Sequence, residues 1–308
     1  MASADNKLLV IGLRTGRLGN RLVLFANVIA FAAEHGHRVV NPAFHSYAHL
    51  FENTRRDIYC HYPVARRRSV WDRIPGAASA IRKIRILYQL TRLASQSNDR
   101  FPLLGSRVLT LREVPRQTIQ LDAPEVLSRM AASRIVFVHG WRIRARESVR
   151  CQAEAVRAHL RPVAEFEQAA DRAVDALRRQ ADVIVGVHVR HGDYRTWRGG
   201  RYFFPASRYA DWMRALAAQF PGQKVAFLVC SDERRSAEEF PGLTVGLGAG
   251  SFLGDLTALS KCDYLFGPVS TFTQWASFYG DTPVFYLRDG GVRIERDRFA
   301  VADLDEIP

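Results

Sequence analysis

Residues 183–190 read VIVGVHVR and residues 225–232 read VAFLVCSD. Both are β-branched apolar runs of strand length, and residues 207–220 between them have the spacing of an amphipathic helix. Strands that are apolar on both faces and alternate with helices belong to a parallel sheet covered on both sides. The pattern continues downstream. A short helix is expected over 233–240, a strand over 243–247 and a helix over 254–262. A strand over 264–269, a helix over 271–279 and a closing strand over 283–287 follow. This predicts a doubly wound α/β unit of about 150 residues, a common size for one compact domain.

The chain begins in the same manner. Residues 7–13 (KLLVIGL) predict a strand, 14–20 a glycine-containing loop, 21–35 a helix and 38–41 a second strand. Regularity fades over 44–107 and returns with a strand at 134–141 (RIVFVHGW) and a helix at 147–160. Arg161-Pro162 is the expected boundary, dividing the chain into domains 1–160 and 161–308. The expected architecture is two Rossmann-like α/β lobes with a cleft between them.

At 308 residues with 47% apolar content, the chain can bury a large core without covalent staples. Its 44 basic residues outnumber 31 acidic ones, and 40 of them are arginine, lysine occurring only at 7, 83, 224 and 261. Arginine's planar fork suits phosphate, so an anionic ligand is indicated: a nucleotide, a nucleic acid or an anionic membrane. Arginine-rich surfaces also arise from codon bias alone, so the charge names no partner. Cys60, Cys151, Cys230 and Cys262 are too far apart for a zinc motif, and Cys230 and Cys262 sit in core-like contexts. The first residues lack the features of a secretion signal, and no apolar run reaches the length of a membrane span. A cytoplasmic protein is expected.

Open parallel sheets bind ligands beyond the carboxyl ends of their strands. Three strand ends here deliver polar groups to that edge: Arg190-His191-Gly192-Asp193, Ser231-Asp232-Glu233, and Ser270-Thr271 at a helix start. His188 and Arg190 alternate onto one strand face, two cation-capable groups among valines. An arginine at a strand mouth can take a diphosphate bidentately. Asp193 could pair with Arg190, which would also give the cluster a purely structural reading. Ser270 and Thr271 open a helix whose free N–H groups favour an anion, though hydroxyls there also serve as ordinary caps. The segment Gly16-Arg17-Leu18-Gly19-Asn20 fits neither the dinucleotide nor the P-loop pattern. The sole D-x-D, Asp303-Leu304-Asp305, sits in the tail and reads as a solvated end, so no metal site is expected. Leaving-group charge would then fall to arginine and helix N–H groups.

Taken together these elements resemble the fucosyltransferase superfamily of α1,2-, α1,6- and protein O-fucosyltransferases, with a motif layout nearest the bacterial α1,2 enzymes. The resemblance rests on Gly16-Arg17-Leu18-Gly19-Asn20, on His188-Val189-Arg190-His191-Gly192-Asp193-Tyr194, and on Ser231-Asp232-Glu233. It extends through Asp255-Leu256-x-x-Leu259-Ser260 to Ser270-Thr271-Phe272-Thr273-Gln274-Trp275. It implies a two-lobed GT-B fold and inverting, metal-independent transfer of L-fucose from GDP-β-L-fucose to a glycan or glycoconjugate hydroxyl. By the same resemblance Arg190 would grip the β-phosphate and stabilise departing GDP, with His188 orienting the donor. Asp255 would lie near guanine or ribose, Ser270, Thr271 and Phe272 along the diphosphate, and Asn20 with its glycines would approach from the N-terminal lobe. Asp193, His191 and Glu52 are the candidate acceptor bases. His191, Arg21 and Val269 depart from the α1,2 pattern, and Arg17 is closer to the protein O-fucosyltransferases.

Arg66, Arg67, Arg68 and Arg73 precede 77–94, where Ile81, Ile84, Leu87 and Tyr88 alternate with Arg82, Lys83, Arg85 and Arg92. This basic stretch, 66–94, reads either as a helix docking on an anionic membrane or as one packing its apolar face inward. Other readings of the whole chain are the same fold using another GDP-sugar or a protein acceptor, and a nucleic-acid or anionic-surface binder. Arg190 and Ser270 at strand mouths favour a small anionic ligand over nucleic acid.

Overall fold

In the computed structural model, residues 6–57, 59–64, 77–100, 107–115 and 117–306 are described. They form two compact units that meet in sequence between Arg161 and Pro162.

The first unit opens with β1 (Leu8–Val10), α1 (Leu18–His35) and β2 (Arg38–Val40), then α2 (Ala77–Arg100), β3 (Val108–Arg112) and β4 (Ile119–Gln120). It closes with α3 (Pro124–Met130), β5 (Ile135–His139), β6 (Ile143–Arg144) and α4 (Arg146–His159). Four parallel strands pair in the order β2-β1-β5-β3, and β4 pairs with β6 in a small parallel ladder. Helix α1 is buried from Leu22 to Ala32. The Asn27 amide explains how so apolar a helix is fixed. Its Nδ2 donates to the Val23 carbonyl, and its Oδ1 accepts the Ala145 N–H at the head of α4. Helix α1 starts at Leu18, three residues before the expected point, so Leu18, Gly19 and Asn20 form its first turn rather than a loop. The expected irregular stretch contains the whole of α2, and β3, β4 and α3 follow it. The short sequences of β3, β4 and α3 carry no periodic signal, whereas α2 is the basic stretch already read as a helix over 77–94.

The second unit runs α5 (Ala164–Arg178), β7 (Val183–Val189), α6 (Ala206–Ala217), β8 (Val225–Ser231), β9 (Thr244–Leu247) and α7 (Phe252–Leu259). Strand β10 (Tyr264–Pro268), α8 (Thr271–Gly280) and β11 (Val284–Leu287) complete it. All five strands are parallel, in the order β11-β10-β7-β8-β9. Val183, Val185, Val187 and Val189 of β7 pack against Tyr209, Trp212, Met213 and Leu216 of α6. The opposite face lies against α7: a Cβ on Gly186 would come 2.8 Å from Leu259. The sheet is thus covered on both sides, as the continuous apolar strands require. Helix α5, carrying Ala170, Val174 and Leu177 inward, went unread in the sequence although its apolar spacing is helical.

The tail corrects one expectation. Asp303-Leu304-Asp305 is not a solvated end: Leu304 is fully buried, and Gln274 of α8 donates to the carbonyls of Asp303 and Glu306.

Candidate functional site

Starting at β7, the sheet of the second unit grows outward through β8 and β9 on one side, and through β10 and β11 on the other. This is the 3-2-1-4-5 arrangement of a nucleotide-binding half, with its reversal of strand order between β7 and β10. Ligands bind at the carboxyl ends of the strands flanking such a reversal. Arg190 follows the end of β7 directly, and Ser270 lies two residues past the end of β10.

The Arg190 guanidinium donates from Nε and Nη2 to Asp193 Oδ1, at 3.0 and 2.7 Å, and lies 3.4 Å from Asp232 Oδ2. Asp232 Oδ1 accepts the His191 N–H at 2.9 Å. A Cβ on Gly192 would come 2.5 Å from Asp232 Oδ2, so glycine is needed for the turn to close on that carboxylate. Both carboxylates aim one fork while its side chain keeps 18% of its surface open. The ion pair foreseen as the structural alternative is therefore present, and it positions the guanidinium.

Tyr194 joins the two strand ends. Its ring lies 5.5 Å beneath the Arg190 guanidinium carbon, and its hydroxyl donates to the Val269 carbonyl at 2.7 Å. Burial holds its phenol protonated, pushed up to about 12. On the far side Ser270 caps α8, its hydroxyl accepting the Phe272 N–H at 3.1 Å. Because Ser270 already takes one N-terminal N–H, the remaining first-turn groups of α8 and its dipole are what an anion would meet.

His188 departs from expectation. It is 3% exposed, its Nδ1 lies 2.7 Å from Thr273 Oγ1, and its ring is 4.8 Å from that of Phe272. Burial, with help from Arg190, pushes its pKa down to about 3. It is a neutral strut under the start of α8, not a second cation beside Arg190. His191 is likewise enclosed. Its Nε2 lies 2.7 Å from the Phe204 carbonyl, and its Nδ1 lies 3.0 Å from Arg235 Nη2 and 3.5 Å from Glu233 Oε2, so both ring nitrogens are engaged within the protein.

No family model and no curated protein matches the chain. Solved structures do. A point mutant of Arabidopsis thaliana FUT1 in complex with GDP aligns over 94% of this chain and 72% of its own, with TM-score 0.52 and 14% identity. POFUT1 in complex with GDP-fucose aligns over 94% and 98%, with TM-score 0.51 and 13% identity. The fucosyltransferase NodZ from Bradyrhizobium aligns over 93% and 97%, with TM-score 0.50 and 18% identity. The chain has the fucosyltransferase fold.

In this fucosyltransferase fold the remaining predicted residues fall into two places. Asp255, in the first turn of α7, lies behind the end of β8: its carbonyl receives the Cys230 thiol, and a Cβ on Gly248 would meet its carboxylate. Burial pushes the carboxyl up to about 6, against the N–H groups of Ala249 and Gly250, and Oδ1 has no partner. Ser231, at the end of β8, accepts the Glu233 N–H at 3.2 Å. Gly16, Arg17, Gly19 and Asn20 belong to the first unit. Gly16 has φ +53°, and Asn20 packs where its Cβ would be, so this turn tolerates only glycine. Glu52, also in the first unit, is held 3.2 Å from Arg55. The sequence reading missed Tyr194 as a tie, and Asp232 as the group that locks the β7 turn. A tyrosine five residues past a strand end carried no sign of the Val269 carbonyl it reaches beyond β10.

Among the described residues, no group of three His, Cys, Asp or Glu could hold a metal ion, and no helix is long and apolar enough to cross a membrane.

Proposed function

We propose that this chain is a glycosyltransferase that moves L-fucose from GDP-β-L-fucose to a hydroxyl of a glycan or glycoconjugate, with inversion and without a required metal. The observation that carries the reading is the Arg190 fork, aimed by Asp193 and Asp232 at the strand reversal where α8 begins. A nucleoside diphosphate placed there would meet the guanidinium on one side and first-turn N–H groups on the other. As the fucosyl–oxygen bond breaks, negative charge collects on the β-phosphate. A cation held in place beforehand lowers that barrier without reorganisation. The sugar becomes oxocarbenium-like, and the acceptor oxygen enters from the opposite face. Asp193, whose side chain is 45% exposed, is the proposed proton acceptor, His191 being enclosed.

In this reading the second unit binds the donor and the first unit the acceptor. The setting is cytoplasmic, in keeping with four cysteines that are all free. A thermal-shift screen of nucleotide sugars tests the donor, since a ligand of the native state raises apparent stability by mass action. GDP and GDP-fucose should stabilise; ADP- and UDP-sugars should not. Equal stabilisation by GDP-mannose would favour another GDP-sugar. Stabilisation by mixed oligonucleotides, with none by GDP, would defeat the enzyme reading.

Peripheral contact with an anionic bilayer belongs to the same proposal. Ile86, Leu90 and Leu93 of α2 form an exposed stripe at 53, 60 and 58% exposure, flanked by exposed Arg85 and Arg92, whereas Tyr88 turns inward. Arg66, Arg67, Arg68 and Arg73, and the side chains of Ile81, Arg82, Lys83, Ile84 and Leu87, lie outside the described residues. Binding to vesicles rich in phosphatidylglycerol is expected, released by salt, and weaker by ~10-fold in Leu90→Asp, which removes one membrane-buried apolar side chain. Equal binding to neutral vesicles, or none, would refute the contact.

A further inference from the structure

The first unit holds a cationic site of its own. A cavity of about 640 Å³ is lined by Arg14, His45, Ser46, His49, Arg85, Tyr88 and Gln89. Its walls come from the loop after β1, the turns after β2 and one side of α2, so it opens beyond the carboxyl ends of β1 and β2.

The lining is charged in one sense only. Arg14 Nη2 lies 2.6 Å from His45 Nε2, and its guanidinium stacks 4.5 Å over the Tyr88 ring. His45 Nδ1 lies 2.8 Å from the Pro42 carbonyl, which makes that nitrogen the donor and Nε2 the acceptor toward Arg14. The ring is therefore neutral, and burial together with Arg14, Arg21 and Arg85 keeps its pKa low. Arg21 donates to Ser46 Oγ at 2.9 Å and fixes the hydroxyl on the cavity wall. No carboxylate lines the cavity, and none among the described residues pairs with Arg14 or Arg85. Two guanidiniums converge on one concave site beside a histidine made to accept a hydrogen bond. Like charges gathered this way repel unless an anion sits between them.

We propose that this cavity is a binding subsite for a sugar bearing a carboxylate or phosphate, with Arg14 and Arg85 on the acid group and Ser46, His49 and Gln89 on the hydroxyls. Its volume falls within the ordinary range for a small-molecule site. Resting on the fucosyl-transfer reading, the sugar is the acceptor, and the enzyme is selective for acidic acceptors.

Binding to the full-length chain, with GDP saturating and at constant ionic strength, tests this apart from turnover. D-glucuronate and α-D-glucose 1-phosphate are compared with D-glucose by calorimetry. At least one acid should bind, glucose at least ~10-fold more weakly, and Arg14→Ala or Arg85→Ala should each weaken the acid by ~10-fold or more, the loss of a charged hydrogen bond. Both side chains are exposed, so the variants should melt with the wild type, and GDP affinity should not change. Glucuronate ahead of the phosphate, or the reverse, identifies the acid group. Failure of both acids, equal binding of glucose, or acid binding that survives both substitutions overturns the proposal. Loss of GDP affinity in the two variants also overturns it, because the cavity would then serve the donor's diphosphate. Acid binding in a chain that transfers no fucose would leave the subsite standing and remove only the acceptor role.

Discussion

Arg190→Ala is expected to lower fucosyl transfer from GDP-fucose by about 10²–10³-fold, the usual loss when one preorganised donor to a developing oxyanion is removed. The loss should fall mainly on kcat, because diphosphate charge grows as the bond breaks and the guanidinium matters most at that point. The variant should fold. Asp232 still accepts the His191 N–H, and the strand beneath is fully buried. Arg190→Lys separates charge from geometry. An ammonium keeps the positive charge but cannot bond Asp193 through two nitrogens and still face a phosphate, so it should recover only part of the rate. Initial rates of GDP release, with circular dichroism to verify folding, decide the matter. Wild-type turnover in a folded Arg190→Ala protein would remove the leaving-group role assigned to this side chain.

Asp255→Asn should move binding and stability in opposite directions. The Asp255 carboxyl rises from 3.8 to about 6 because burial penalises its charge, and Oδ1 has no partner. A guanine edge offers neighbouring N–H donors that suit a carboxylate. In the fucosyl-transfer reading the nucleotide supplies the missing partner, and replacing one carboxylate oxygen with an NH₂ group turns an acceptor into a donor. GDP affinity should fall ~10–100-fold, the range for hydrogen bonds to a charged group. In the free protein the sign reverses. The native state binds the Asp255 proton more tightly than the unfolded chain does, so stability drops as pH rises from about 4 through 6. Asparagine carries no such cost. The variant's melting temperature should exceed that of the wild type at pH 8, and the gap should close toward pH 4. Each kcal/mol corresponds to roughly 2–4 °C at this size. Wild-type GDP binding should itself weaken below pH 6 as the carboxyl protonates. An asparagine variant that binds GDP normally, or melts lower at pH 8, would refute the assignment.

From β7 onward, the second unit is legible in the amino-acid sequence. Runs such as VIVGVHVR carry their periodicity locally, so the strand, its burial on both faces and the polar groups at its end can be read without knowing any neighbour. Arg190, Asp193 and Ser270 were legible for the same reason, each standing just past such a run, whereas Asp255 was legible only through the resemblance to the fucosyltransferases. Helix α5 was legible in principle, since Ala170, Val174 and Leu177 repeat at helical spacing, but it lay beside the boundary and was passed over. The tertiary structure alone decided what those groups are. His188 became a neutral strut because Thr273 and Phe272, some 85 residues along the chain, enclose it. Asp232 became the clamp on Arg190, Tyr194 the tie to β10, and Arg14 and Arg85 the walls of one cavity. Ionisation and hydrogen bonding depend on which distant segment removes water from a side chain, and spacing along the chain does not encode that.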